Sequence, residues 1–243
     1  MSDRPRSSRI WAAVPFRGPA GSKRRLAGLL DAAEREHLSL VMLADVLDVL
    51  LGSDRIERVL LLTASQQGVS LPDVERLTVL KEVSGTNGAG EDGSGLNAAL
   101  RQAQQVARSA GADSLLIVPA DLPLLARADL KAILDAAVAA QVVIAPDGAA
   151  EGTNALLLAP PDGLDPRFGE RSYASHRHAA ELAGLTVAIV ERRGFGLDLD
   201  TPEDVAALLD GPHDSRAARL LRELRVDHRL DPITPAQARS TTI

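Results

Sequence analysis

Short apolar runs bounded by glycine, proline or aspartate recur along the chain and alternate with longer stretches in which apolar residues return every three or four positions. Ile10–Pro15 and residues 59–63, 77–80, 115–118, 142–145, 155–158 and 187–190 have strand length and continuous apolar character, which predicts buried strands. A helix is predicted from Asp31, whose side chain caps it with Glu34 three positions on; Leu40, Leu43, Leu47 and Leu50 then keep helical spacing until Gly52 stops it. Residues 96–110, 127–140 and 173–183 read as further helices. Thr201 as N-cap, Pro202 at the first helical position and the acids Glu203 and Asp204 start a short helix that runs to Asp210.

Alternating strands and helices predict a three-layer α/β/α fold with a mostly parallel sheet covered on both faces. Residues 155–158 follow the preceding strand with no helix between them, so one strand is expected to run antiparallel and the sheet to be mixed. After Gly211-Pro212 the pattern becomes charged, with a helix over 215–224 and a polar tail to Ile243. This divides the chain into a main domain, 1–211, and a peripheral extension, 212–243.

Composition narrows the function classes. The chain has 243 residues, 45% hydrophobic and 25% charged, enough for a sizeable core. Twenty-seven basic against 33 acidic residues leave a net charge of −6, which argues against a broad nucleic-acid-binding face while allowing a local anion site. The absence of cysteine excludes disulfides, thiolate metal sites and a cysteine nucleophile. No apolar run reaches membrane-spanning length and the basic start is followed by only a short apolar stretch, so a cytoplasmic, membrane-free protein is expected.

In open α/β sheets ligands sit beyond the carboxyl ends of the strands, and the loops there carry the candidate chemistry. The loop from Val14 to Leu26 combines glycines with Lys23, Arg24 and Arg25, a pattern that suits a triphosphate and equally describes a solvated basic loop. Asp121 follows a strand and is flanked by Pro119 and Pro123; it can reach Mg²⁺ or cap its own turn. Asp198 and Asp200 fall on one side of an extended segment, where two carboxylates repel unless a cation lies between them.

Gly152-Thr153-Asn154 with Gly169, Ser172 and a helix from Tyr173 makes a neutral anion pocket, although Ser172 also reads as a plain N-cap. Gly95 and Asn97 open another helix, where Asn97 can meet a base edge or ribose. His176 and His178, two apart on one helix, read as surface histidines or as groups that support a ligand-contacting side chain, and not as a metal pair. The chain carries no nucleophile signature, which favours direct displacement.

Six of these motifs, in this order over residues 10–209, resemble the 2-phospho-L-lactate guanylyltransferases and their phosphoenolpyruvate-using relatives of coenzyme F420 biosynthesis. They are Lys23-Arg24-Arg25-Leu26, Gly95 to Leu100, Asp121 to Leu124, Gly152 to Leu156, Phe168-Gly169 with Ser172 and His176, and Asp198 to Pro202. The resemblance implies a Rossmann-related, glycosyltransferase-A-like nucleotidyltransferase fold. It also implies transfer of GMP from GTP to the phosphate of a three-carbon acid, with pyrophosphate released. By motif position Asp121, Asp198 and Asp200 would hold Mg²⁺, and Thr153, Gly169 and Ser172 would bind the acceptor. Lys23 and Arg25 would meet the triphosphate, with Lys23, Arg25 and Asp121 as the catalytic set, and Gly95 and Asn97 would meet the nucleoside. Many relatives carry an arginine where this chain has Gly148, which leaves the acceptor open among phosphoenolpyruvate, 2-phospho-L-lactate and 3-phosphoglycerate. A sugar-1-phosphate or molybdopterin nucleotidyltransferase is the alternative within the same fold. The resemblance is compatible with a homodimer and with handover of the product to a downstream transferase.

Overall fold

The computed structural model describes residues 8–16, 18, 23–64, 71, 74–81 and 94–230. Parts of the first loop (17 and 19–22), of the glycine-rich turn before Ser94 and the expected polar tail from 231 lie outside the described residues. In chain order the elements are β1 (Ile10–Pro15), α1 (Ala32–Leu51), β2 (Ile56–Thr63), β3 (Leu77–Lys81), α2 (Ser94–Ser109), β4 (Ser114–Ile117) and α3 (Arg127–Ala136). There follow β5 (Val142–Pro146), β6 (Thr153–Leu158), α4 (Ser172–Leu182), β7 (Val187–Ile189), α5 (Pro202–Asp210), α6 (Arg216–Glu223) and α7 (Asp227–Leu230).

The seven strands form one sheet in the order β3-β2-β1-β4-β6-β5-β7. Every pairing is parallel except those of β6, which runs antiparallel to both β4 and β5, as the missing helix before it predicts. Alternate strand residues separate into two cores. Ala12, Val14, Val59, Leu61, Leu116 and Val143 pack with α1 and α3, and Trp11, Ala13, Leu60, Leu115, Ile117 and Ile144 with α2 and α4. The helix expected over 127–140 ends at Ala136: Val138 and Ala139 donate to carbonyls three residues back, a tighter winding that turns the chain into β5.

The predicted capping box opens α1, with Glu34 N donating to Asp31 Oδ1 (2.8 Å) and Asp31 N to Glu34 Oε2 (2.9 Å). Glu34 also accepts from both terminal nitrogens of Arg229 in α7, at 2.7 and 2.9 Å. The segment after Gly211, expected to be peripheral, is attached to the body through at least Leu230. Ala217, Ala218, Leu220 and Leu221 of α6 form an apolar stripe between Arg216, Arg219 and Arg222. That stripe joins Leu38 and Met42 of α1 and Val205 and Leu208 of α5 in a third core.

Candidate active site

Because β6 runs against its neighbours, its first residues, Thr153 and Asn154, share a rim with the carboxyl ends of β1, β4 and β5. The β5–β6 register slips between Ala145 and Pro146, so that Ala145 faces Ala155 and Pro146 faces Thr153. Such a bulge re-aims side chains, and Asn154 Nδ2 donates to Phe195 O (2.8 Å) and to Asp198 Oδ1 (3.2 Å). The hairpin between the two strands is tied by Asp147, whose carboxylate accepts from the backbone N–H groups of Ala149, Glu151 and Gly152. Gly148 N donates to Gly196 O at 2.8 Å, and a Cβ at Gly148 would lie 2.8 Å from that same oxygen. The close approach explains glycine here and brings the hairpin against the segment that carries Asp198.

The three aspartates are joined by backbone. Leu199 N donates to Asp121 O (3.1 Å), docking the 198–200 segment beside the loop after β4. Leu199 is fully buried in the third core, which turns Asp198 and Asp200 the other way, toward Asp121. The helix start below is satisfied separately by the Thr201–Asp204 capping box, so Asp200 is not needed as a cap.

Lys23 enters this acidic group. Its Nζ donates to Asp121 Oδ2 (2.7 Å) and Asp200 Oδ1 (2.6 Å), and its side chain is 8% exposed. Burial alone would lower the lysine's pKa, yet the two carboxylates outweigh it and hold the ammonium well above its ordinary range. Burial, and then the neighbouring charge of Asp121, push the Asp198 carboxyl up. Asp121 Oδ1 is buried with no hydrogen-bond partner among the described residues. Lys23 itself is left-handed (φ 52°, ψ 43°), a conformation rare for a side-chain-bearing residue that aims it inward from the turn Arg24–Leu26. The ammonium expected at a triphosphate thus pairs with two of the candidate carboxylates.

Among the described residues no three Asp, Glu or His side chains meet as a ready metal cage, because Lys23 lies between two of the candidates. The donor set still fits a hard divalent ion: three carboxylates, one with an orphaned buried oxygen and one destabilised by its neighbour's charge. Arg24 and Arg25 are exposed beside it and form no ion pair among the described residues.

The candidate acceptor residues also converge. Tyr173 N donates to Glu151 O (3.1 Å), holding the start of α4 against the hairpin, and Ser172 N donates to Gly169 O (3.2 Å). Gly169 has φ +129°, open to glycine alone at little cost, and Ser172 is buried as the first helical residue of α4 and not as its N-cap. Thr153 is buried and its Oγ1 lies 3.0 Å from Nδ1 of His176. Of the two histidines read as surface or supporting groups, His176 is fully buried behind Thr153, whereas His178 is exposed.

Asn97, expected at the nucleoside, bonds the Phe168 backbone: its Nδ2 donates to Phe168 O (3.0 Å) and its Oδ1 accepts from Phe168 N (2.8 Å). It clamps the loop before Gly169 to the first turns of α2, where Gly95 also lies. Asn154 entered the sequence reading as part of the Gly152-Thr153-Asn154 run of the anion pocket and was given no role of its own; its bond to Asp198 has no sequence signal.

The chain has relatives among known proteins. The family described as guanylyl transferase CofC-like matches residues 10–240. Phosphoenolpyruvate guanylyltransferase of Rubrobacter xylanophilus is 41% identical over 202 residues, 82% of this chain and 93% of its own length. The 2-phospho-L-lactate guanylyltransferase of Methanothermobacter thermautotrophicus is 34% identical over 214 residues, covering 88% of this chain and 90% of the relative. The 3-phospho-D-glycerate guanylyltransferase of Phenylobacterium zucineum is 34% identical over 217 residues, 88% and 96% respectively.

Among solved structures, one described as a nucleotide-diphospho-sugar transferase from Desulfovibrio desulfuricans G20 superposes with TM-score 0.72 at 17% identity, covering 93% of this chain and 98% of that one. Rv0371c of Mycobacterium tuberculosis H37Rv in complex with manganese gives TM-score 0.53 at 19% identity, covering 84% and 100%. The fold is that of the nucleotide-diphospho-sugar transferases, and the chain belongs to the CofC-like guanylyltransferase family.

Proposed function

We propose that the chain transfers GMP from GTP to the phosphate of a three-carbon phospho-acid and releases pyrophosphate. Phosphoenolpyruvate is the first acceptor to test, ahead of 2-phospho-L-lactate and 3-phospho-D-glycerate, in keeping with the relative at 41% identity. The carrying observation is the Leu199 to Asp121 backbone bond, which gathers three carboxylates beside Lys23 on the rim that also holds Thr153.

In this reaction an ionised oxygen of the acceptor phosphate attacks the α-phosphorus of GTP. A new phosphoanhydride bond forms, the α–β bridging bond breaks, and its electron pair leaves with pyrophosphate. The attacking oxygen is already deprotonated, so no general base is required, and none stands out among the described residues. The barrier is the repulsion between two polyanions. Asp121, Asp198 and Asp200 would hold Mg²⁺, which when bound neutralises charge on the reacting phosphates. Lys23 and Arg25 supply fixed cations for the triphosphate. Thr153, Gly169 and Ser172 orient the acceptor with a hydroxyl pair and an open backbone. Gly95 and Asn97 lie on the nucleoside side, where Asn97 keeps one N–H and one lone pair beyond its two bonds to Phe168.

No helix among the described residues is long and apolar enough to cross a membrane. We place the reaction in the cytoplasm, with the product handed to a downstream transferase. The test is pyrophosphate release with GTP, ATP and CTP against the three acids and a sugar 1-phosphate. Release with GTP and one of the acids supports the assignment. Release only with the sugar phosphate, or of a nucleoside diphosphate in place of pyrophosphate, rejects it.

A further inference from the structure

The proton on His176 can be located from its neighbours. The backbone N–H of Arg167 donates to Nε2 at 2.9 Å, and an amide N–H cannot accept, so Nε2 must carry the lone pair. The neutral ring then has its hydrogen on Nδ1, which lies 3.0 Å from Thr153 Oγ1. A cationic ring would set an N–H against the Arg167 N–H. The ring is fully buried, and the Phe168 ring meets it edge to face at 5.1 Å, which fixes its plane. Burial and the charge of Arg167 both oppose protonation and hold the imidazole pKa down at about 4.

We propose that His176 is a positioning residue for the acceptor, donating from Nδ1 to Thr153 Oγ1 so that the Thr153 hydroxyl keeps its own hydrogen for an anionic oxygen of the bound phospho-acid. This rests on the assignment of Thr153 to the acceptor. A hydroxyl both donates and accepts, and a free one can present either side to a ligand. With Nδ1 donating, one of the two lone pairs of Thr153 Oγ1 is engaged and its hydrogen is not spent on the ring, so Thr153 keeps a donor, the polarity that an ionised phosphate or carboxylate requires. Among the described residues no acceptor takes that hydrogen. The neighbouring Asn154 donates to Asp198, so two consecutive residues of β6 reach the carboxylate group and the histidine. The pocket thereby offers an anion a hydroxyl donor through a device that adds no net charge.

The test has two arms on the full chain. In the first, ¹⁵N–¹H correlation of the wild-type imidazoles at pH 7.5 is expected to show His176, assigned through contacts to the Phe168 ring, neutral and protonated at Nδ1. In the second, pyrophosphate release is followed with saturating GTP and varied phosphoenolpyruvate. T153V and H176Q are each expected to raise the acceptor KM at least about tenfold, as for a lost hydrogen bond to a charged group, with a smaller change in kcat. The double variant is expected to be no worse than T153V.

A ring protonated at Nε2, or fully additive effects, overturns the proposal while leaving the Thr153 assignment standing if T153V alone raises KM. An unchanged KM in T153V, with the Nδ1 tautomer observed, overturns the acceptor assignment and the proposal with it. Should H176Q fail to fold, the wild-type tautomer decides.

Discussion

Lys23 donates to Asp121 across 98 residues of sequence, at 2.7 Å, and so stands where a divalent cation would be expected beside the same carboxylate. One ammonium cannot balance three carboxylates, and an ion bound as proposed would share Asp121 and Asp200 with it. Lys23→Ala is expected to tighten Mn²⁺ binding by the nucleotide-free protein about tenfold by removing a competing cation, and to lower kcat by roughly 10²-fold through loss of a fixed charge near the phosphates. Electron paramagnetic resonance of free Mn²⁺ reads the first effect directly. Weaker or unchanged metal binding in the variant would show that Lys23 and the ion do not compete.

Asn97 separates two roles that the sequence cannot distinguish. If its place is to clamp the Phe168 backbone, Asn97→Ala leaves an N–H and a carbonyl without their partners and costs about 1–3 kcal/mol of stability. Acceptor KM would then rise because Gly169 is released. Thermal unfolding and the GTP-to-ATP rate ratio check this. An unchanged melting temperature with lost guanine preference would return Asn97 to the nucleoside.

His176 also predicts a pH dependence of stability. Its folded pKa, about 4, lies below the ordinary 6.5, so between these values the unfolded chain binds more protons. Its contribution is complete above pH 6.5 and is lost as pH falls toward 4. At about 1.4 kcal/mol per unit, the stability difference between wild type and H176Q should shrink by roughly 2–3 kcal/mol from pH 7.5 to pH 4.5. Urea unfolding at the two values measures it. A difference independent of pH would mean that the buried ring does not titrate as described.

The third core bears on the chain after Gly211. Leu221 is fully buried between α6 and the α1–α5 pair, so Leu221→Ala should cost about 2–5 kcal/mol by denaturant unfolding. The acceptor KM should be unchanged, because α6 is no part of the rim. A loss under 0.5 kcal/mol would make this segment the dispensable appendage that its charge pattern suggests.

Most of the sheet was legible because buried strands in an α/β sheet are continuous apolar runs and the helices carry their own start signals, as at Asp31 and Thr201. The antiparallel β6 followed from a missing helix. The three aspartates and Thr153, Gly169 and Ser172 could be singled out as candidates, since loops at strand ends are few. Their partners were not legible, because no spacing reveals that Lys23 reaches Asp200 or that Asn97 reaches Phe168 across 71 residues. That His176 and not His178 is the buried one was not legible, because polar neighbours on its helix hide the single face that points inward. The burial of α6 was hidden by alternating arginines, although Ala217, Ala218, Leu220 and Leu221 carried the stripe.

The central claim is that the joined carboxylates serve guanylyl transfer. It is tested most directly by the rate of pyrophosphate release from GTP and phosphoenolpyruvate with Mg²⁺ in Asp198→Asn, a change that keeps the acceptor atom for Asn154. A fall of at least about 10²-fold in a variant that unfolds no earlier than wild type is predicted. Turnover within a factor of two or three of wild type would contradict it.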